Sequence, residues 1–261
     1  MAEISESHPR RDSLLARQKL VDAAEKGLLA ESAMIAHGRG EAYDYLLGEK
    51  TSGTSLLAIR EVAARLRAAA RPVISVNGNT VVLAGESLIR VAAVIGCPIE
   101  VNLYYRSAER VEGLLSLLKE QREAVSDKGA PEGYVGDWSN AVGSVLLMGA
   151  EEDGRIEGLI GPRSICSAEG IGSADTVLVP LEDGDRCKAL INLGKEVLVI
   201  DLNPLSRTSM MASVTIVDEV ARASEALVKE AIACQNEPTQ WDNQRVLRDA
   251  LHIMAGALER V

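Results

Sequence analysis

The sequence predicts an α/β fold, a mostly parallel sheet flanked by helices, on three observations. Thr176–Leu181 and Val197–Leu202 are apolar runs rich in β-branched residues, as suits strands buried on both faces of a parallel sheet. Between them there is room for one short crossover helix, Arg186–Leu193, stopped by Gly194. Each run then ends in groups that bind rather than pack: Glu182-Asp183-Gly184-Asp185-Arg186 after the first, Asp201-Leu202-Asn203-Pro204 after the second. Open α/β sheets hold ligands outside the carboxyl ends of their strands, so a nucleotide is expected here. Unpaired N–H groups at the start of the 186–193 helix suit phosphate, and Asp201 is placed to accept hydrogen bonds from ribose hydroxyls. The turn has one glycine rather than a GxGxxG set, so an ordinary dinucleotide fingerprint is absent. A structural αβ unit with solvated loop acids would account for the same residues.

Composition narrows the partners. The 261 residues suffice for one large domain or two small ones, and 47% hydrophobic with 25% charged is an ordinary globular balance. There is no Phe, so Ala, Leu, Val and Ile must supply the core. A net charge of −10 argues against nucleic acid or an anionic membrane as partner, and an anionic substrate needs a local basic site. MAEISESHPRR lacks the apolar segment of a signal peptide, and no apolar run of the ~18–20 residues that span a bilayer is expected. Cys97, Cys166, Cys187 and Cys234 show no CxxC spacing, which points to free thiols in a cytoplasmic protein. His8, His37 and His252 form no HExxH, so no protein-held metal is expected.

From the N-terminus, Pro9 precedes a helix that Asp12 or Ser13 could cap, running to about residue 26. Arg17 lies on it and, taken alone, reads as a surface charge. In Ile35-Ala36-His37-Gly38-Arg39-Gly40-Glu41-Ala42, glycines flank an arginine just before a helix expected at 41–47. Glycines admit a ligand close to the backbone and arginine forks onto phosphate, whereas packing offers no reason for G-R-G. An amphipathic helix is expected over 55–70, then a strand Val73–Val76 running into Asn77-Gly78-Asn79-Thr80 and a helix around 86–94. The N-G-N-T turn suits either a binding crevice or an ordinary βα connection. Ile99–Arg106 reads as a strand ending in polar groups, with Asn102 and Arg106 as site candidates, and 107–122 as a helix.

Residues 123–143 break every periodic pattern, 144–150 offer a strand, and 151–173 read as a long glycine-rich connection of the kind that forms lids. The 123–173 region is therefore an expected irregular insert. A last strand is expected within Met210–Val217, with Asp218 capping a helix over 219–234. A polar linker at 235–243 leads to a C-terminal helix, about 244–260, with Leu247, Leu251, Met254 and Leu258 on one stripe. That stripe packs on its own sheet or on a partner. No Ser-His-Asp or Cys-His nucleophile signature is present. On the residues alone, a nucleotide-dependent kinase acting on a small acid and a non-catalytic nucleotide-binding module both remain open.

Several blocks together resemble the archaeal phosphopantothenate synthetase, or 4-phosphopantoate–β-alanine ligase, family. They are Ser7-His8-Pro9-Arg10 with Ser13, Leu14 and Arg17, then IAHGRGEAYDYLLGEKT at 35–51, PVISVNGN at 72–79 and Glu100–Arg106. ADTVLVPLEDGDR at 174–186 and DLNPLSRTSMMASVTIVD at 201–218 complete them. The resemblance covers most of 1–120 and 174–230, and is looser over 121–173 and the last helix. It implies a single Rossmann-like α/β domain over 1–261 and a homodimer. It also implies condensation of 4-phosphopantoate with β-alanine to 4′-phosphopantothenate, ATP giving AMP and pyrophosphate through an acyl-adenylate, in archaeal coenzyme A synthesis. By position it implies nucleotide contacts at Arg17, Arg39, Asp183, Gly184, Asp185, Ala189, Leu190, Asp201, Leu202 and Asn203. Asn77, Asn79 and Arg106 are the implied phosphopantoate contacts, and Arg39, His37 and Arg106 the expected catalytic groups. Mg²⁺ is expected to arrive with ATP.

Overall fold

The fold is that of a computed structural model describing residues 4–260. Three helices come first: α1 (Arg11–Glu25), α2 (Ser32–Leu47) and α3 (Gly53–Ala68). Then follow β1 (Pro72–Val76), α4 (Gly78–Ile95), β2 (Ile99–Val101), α5 (Ala108–Asp127), α6 (Trp138–Gly143) and β3 (Leu147–Met148). The insert holds β4 (Gly154–Arg155) and β5 (Ile165–Cys166), which pair antiparallel with each other. The chain continues through β6 (Thr176–Pro180), α7 (Gly184–Asn192), β7 (Glu196–Ile200), α8 (Arg207–Met211), β8 (Val214–Ile216), α9 (Val220–Ala233) and α10 (Asn243–Ala255).

Six strands form one parallel sheet in the order β3-β2-β1-β6-β7-β8. The chain thus builds outward from β1 to one edge, returns to the middle, and builds outward to the other. The reversal falls between β1 and β6, where Val73 faces Val177 and Ile74 faces Leu178. That is the switch point at which doubly wound sheets open a crevice. The alternation of strand side chains divides the core in two. Ile74, Val76, Leu178, Leu198 and Ile200 join the larger cluster with α3, α4, α5 and α9. Val73, Val177, Val179, Val197 and Val199 turn to the other face, against α7 and the insert.

Several boundaries differ from expectation. The G-R-G stretch is no turn, because α2 runs through it from Ser32. Gly40 lies against the β7 tip, where a Cβ would stand 3.4 Å from the Leu202 side chain, an ordinary contact distance. α4 starts at Gly78, not near 86, because the Asn77 side-chain Oδ1 accepts from the Thr80 N–H at 3.1 Å and caps it there. β2 stops at Val101, and the rest of 99–106 forms the tip loop. α5 runs on to Asp127, α6 lies inside the expected irregular region, and only Leu147–Met148 of 144–150 is a strand.

The cap of α9 is Glu219, which accepts from the Ala221 and Arg222 N–H groups. Asp218 instead accepts from Thr51 Oγ1 at 2.6 Å and from Arg222 Nη2 at 2.5 Å. Met210 and Met211 belong to α8 rather than to the last strand. α10 buries Val246, Leu247, Ala250 and Met254 on its own fold, whereas Leu258 lies beyond it in a 3₁₀ turn, 88% exposed. α4 has the length and hydropathy of a short bilayer span, which the sequence reading missed, but 67% of it is buried, as in a core helix.

Candidate active site

A cavity of about 760 Å³ opens at the carboxyl ends of β1 and β6. One wall is made of strand tips: Asn77–Asn79, Asn102–Tyr105, Leu181–Asp183 and Leu202. The facing wall is helical, from α1 and α2, with Glu219 to Glu225 of α9 closing one side.

The strand-tip wall is held by internal hydrogen bonds. Asn77 Nδ2 donates to the Leu181 carbonyl at 2.9 Å, and Thr80 Oγ1 donates to the Pro180 carbonyl at 3.2 Å, which ties the two switch-point strands together. Leu181 has a φ of 56°, a left-handed conformation that costs a non-glycine residue about 1–2 kcal/mol. Such strain collects where the fold must aim a side chain; the next residue, Glu182, lines the cavity. Its Oε1 accepts from the Asp183 N–H at 2.9 Å, and its Oε2 lies 3.6 Å from Arg186 Nη1. Burial pushes the Glu182 carboxyl above its usual range against the pull of Arg186.

Arg186 is itself fully buried. It donates to Asn102 Oδ1, to the Arg163 carbonyl at 3.0 Å and to the Leu103 carbonyl at 3.4 Å. One guanidinium therefore joins the β2 tip, the β6 tip and the insert. Asp183 caps α7, its Oδ1 accepting from the Asp185 and Arg186 N–H groups, each at 3.0 Å. The same oxygen accepts from Arg163 Nη2 at 2.6 Å, while the Arg163 guanidinium stacks 4.4 Å over the Tyr104 ring. The insert thus seats an arginine directly against the N-terminal end of α7.

The helical wall is differently made. Glu41 accepts from Ser13 Oγ at 2.5 Å and from Arg17 Nε at 2.8 Å. Burial would raise the Glu41 carboxyl, but hydrogen bonds from Arg17 and Ser13 outweigh it and leave the pKa lowered. His37 Nε2 stands 3.9 Å from Glu41 and has no hydrogen-bond partner among the described residues; burial lowers its pKa, which favours neutral imidazole. Arg39 and Lys19 line the cavity, exposed, with no ion pair to any described residue. Arg110 also lines it, donating to the Leu28 and Tyr105 carbonyls, with no carboxylate partner among the described residues. Asn79 anchors to the Ala33 carbonyl through Nδ2 at 3.0 Å and keeps a buried Oδ1 unpartnered.

Of the residues expected from sequence, His37, Arg39, Asn77, Asn79, Asp183 and Leu202 line this one cavity. Arg17 reaches it only through Glu41. Asp201 lies behind Leu202; its oxygens accept from the Asn203 N–H at 2.9 Å and from Ser206 Oγ at 2.5 Å. Burial pushes the Asp201 carboxyl up, and Arg39 is among the charges that pull it back, so the two are electrostatic neighbours. Asn203 shapes the same loop, accepting from the Leu205 N–H at 2.9 Å. Gly184 lets Arg207 pack against α7, since a Cβ there would fall 2.6 Å from the Arg207 Cβ, and Asp185 pairs with Arg207 at 2.8 Å. Ala189 and Leu190 are buried in the second core cluster. Arg106 turns away from the cavity to the Gly149 carbonyl at 2.7 Å and Glu152 at 3.3 Å.

Sequence reasoning missed Lys19, Arg110, Glu182, Arg163 and Tyr104 as site residues. Arg110 and Lys19 sit on ordinary amphipathic helices, where nothing local marks one basic residue from another. Glu182 was visible as part of an acidic run, but its separation from Asp183 and Asp185 is made by the Leu181 backbone. Arg163 came from the stretch with least pattern. Among the described residues no cluster of three or more His, Cys, Asp or Glu is placed to hold a metal. The cysteines are free, and burial pushes the Cys187 thiol up to about 12, which removes it as a nucleophile.

Residues 54–257 match the family described as Phosphopantothenate/pantothenate synthetase. A 4-phosphopantoate–β-alanine ligase of Methanosarcina mazei is 40% identical over 259 residues, covering 96% of this chain and 94% of that protein. That of Methanospirillum hungatei is 46% identical over 220 residues, covering 84% and 81%. That of Thermococcus kodakarensis is 39% identical over 269 residues, covering 100% and 95%.

Proposed function

The chain belongs to the phosphopantothenate/pantothenate synthetase family, and from that premise we propose that it is an ATP-dependent 4-phosphopantoate–β-alanine ligase of coenzyme A biosynthesis. The observation that carries the reading is the switch-point cavity, with three basic side chains, Arg39, Lys19 and Arg110, facing it without a carboxylate partner among the described residues. In a protein of net charge −10, such a site exists to receive anions. A carboxylate and an ammonium do not condense in water unaided. Transfer of AMP to the phosphopantoate carboxylate turns it into an acyl donor, and the amine of β-alanine then displaces AMP.

The chain must neutralise two phosphorylated substrates, align them and exclude water. The start of α7, ordered by Asp183, and the glycine-flanked Arg39 suit the triphosphate. Leu202 and the loop that Asp201 and Asn203 hold suit the nucleoside; a direct bond from Asp201 to ribose would require it to release Ser206. Asn77, Asn79 and Arg110 suit phosphopantoate at the β1 and β2 side. Arg17 supports this arrangement by fixing Glu41, and Arg106 by fixing the insert to the β2 tip. Mg²⁺ fits as an ion carried on the triphosphate, where it would offset charge on the departing pyrophosphate. The sheet, both core faces and the cavity draw on α1 through α10, which supports one ligase domain over 1–261. Exposed Ile35 and Leu46 on α2 support a homodimer, which sedimentation would test. The cytoplasm, where ATP is made available, is the compartment this chemistry fits.

The deciding assay is pyrophosphate release from ATP with phosphopantoate, with and without β-alanine. AMP and pyrophosphate are expected. ADP would make the protein a kinase, and no consumption of ATP would make it a binding module.

A further inference from the structure

Resting on that ligase reading, we propose that Glu182 is the group that takes a proton from the β-alanine ammonium and holds the amine against the acyl carbon. Its place in the fold is the first argument. Glu182 lines the cavity at the tip of β6, between the Asn77–Asn79 tip of β1 on one side and Leu202 beyond β7 on the other. The nucleotide end and the phosphopantoate end of the cavity therefore meet in front of it, and the carbon to be attacked lies where they meet.

The second argument is construction. The left-handed backbone at Leu181, fixed by the Asn77 amide on its carbonyl, aims Glu182 at the cavity. Thr208 Oγ1 donates to the Glu182 carbonyl at 2.9 Å and holds the peptide from behind. The side chain is 10% exposed, with Oε2 free of hydrogen bonds, the Arg186 guanidinium at 3.6 Å and the Asp183 carboxyl also beside it. Burial raises the Glu182 pKa while Arg186 opposes that rise, so the carboxyl takes up a proton more readily than a solvated glutamate.

Of the other carboxylates at the cavity, Asp12 and Glu225 are exposed groups on α1 and α9, and Glu219 caps α9. Asp183 holds Arg163 and the start of α7, Glu41 holds Arg17 and Ser13, Asp44 holds Arg222, and Glu49 holds Arg10. The step balances as follows. The ammonium gives one proton to Glu182, and the freed nitrogen lone pair forms the C–N bond to the acyl carbon. The bond from that carbon to the AMP phosphate oxygen breaks, and its electron pair leaves on AMP. The second nitrogen proton passes to solvent, and Glu182 returns its own to solvent as product departs.

The test uses the full chain and the two half-reactions. Phosphopantoate-dependent exchange of labelled pyrophosphate into ATP reads adenylate formation without the amine. In Glu182→Gln, this exchange is expected to stay within about threefold of wild type, while amide formation falls by about 10²-fold or more, the loss of one general base. Hydroxylamine, uncharged at neutral pH, should trap the adenylate equally fast in both proteins. Exchange also certifies that the variant is folded. Equal loss of exchange and amide formation, or near-normal amide formation, overturns the proposal. So does an amine-specific loss in His37→Gln with Glu182→Gln unaffected. Absence of exchange in wild type would instead remove the adenylate reading, and this inference with it.

Discussion

The two walls of the cavity differ in the charges they leave unpaired. At the strand tips, nearly every polar group is tied to another part of the fold: Asn77 to Leu181, Arg186 to Asn102, Leu103 and Arg163, Asp183 to α7 and Arg163. On the helical wall and along α5, Arg39, Lys19 and Arg110 reach the cavity without a carboxylate among the described residues. The contrast separates scaffold from reagent. A charge that must stay put is buried among partners, and a charge that must meet a ligand is left at a surface where water can hold it until then.

Breaking the scaffold should have the largest effect on stability. Arg186→Met leaves Glu182 buried beside an apolar chain and frees Asn102, so urea unfolding should register a loss of about 3–5 kcal/mol. The contrast collapses if that variant is as stable as wild type. Arg39→Ala should do the opposite, lowering kcat/KM by about 10²-fold with stability changed by less than ~0.5 kcal/mol. Turnover near wild type would move Arg39 out of the site.

Asn77→Ala removes both the α4 cap and the tether on Leu181. About 1 kcal/mol of stability should go with the cap, and activity should fall further than that loss explains. The smallest effect is expected at Glu41. Its folded pKa lies below the ordinary 4.5, so its ionised form adds stability above that value, lost as pH falls through the folded pKa. Glu41→Gln should therefore flatten the acid limb of the stability profile below about pH 4.5. Arg17 is 45% exposed, so the difference should be modest and shrink further with salt. An unchanged acid limb would show that this cluster sets nothing.

How much of this was legible in sequence depended on range. The parallel strands at 176–180 and 196–200 were readable because burial on both faces leaves continuous β-branched runs. Asp183 and Asn77 were readable because each sits at a strand-to-helix turn, where capping chemistry is local. The G-R-G segment misled because glycine beside arginine reads as a turn, whereas α2 runs through it and packs Gly40 against Leu202, far along the chain. Arg106 misled likewise: a polar strand end has two directions, and the insert claimed it through Gly149 and Glu152.

By itself, the sequence determined the fold class, the end of the sheet at which the cavity opens, the family and the glycine-flanked arginine on the helical wall. These follow from periodicity and turn chemistry, which act over a few residues, and from motifs whose order is written in the chain. Tertiary structure alone decided that the chain reverses between β1 and β6, that Arg186 is interred while Arg110 faces the cavity, and that Leu181 turns Glu182 toward it. A buried and a half-buried arginine have the same letter. What distinguishes them is the set of partners that distant segments bring, and that set exists only once the sheet has closed around it.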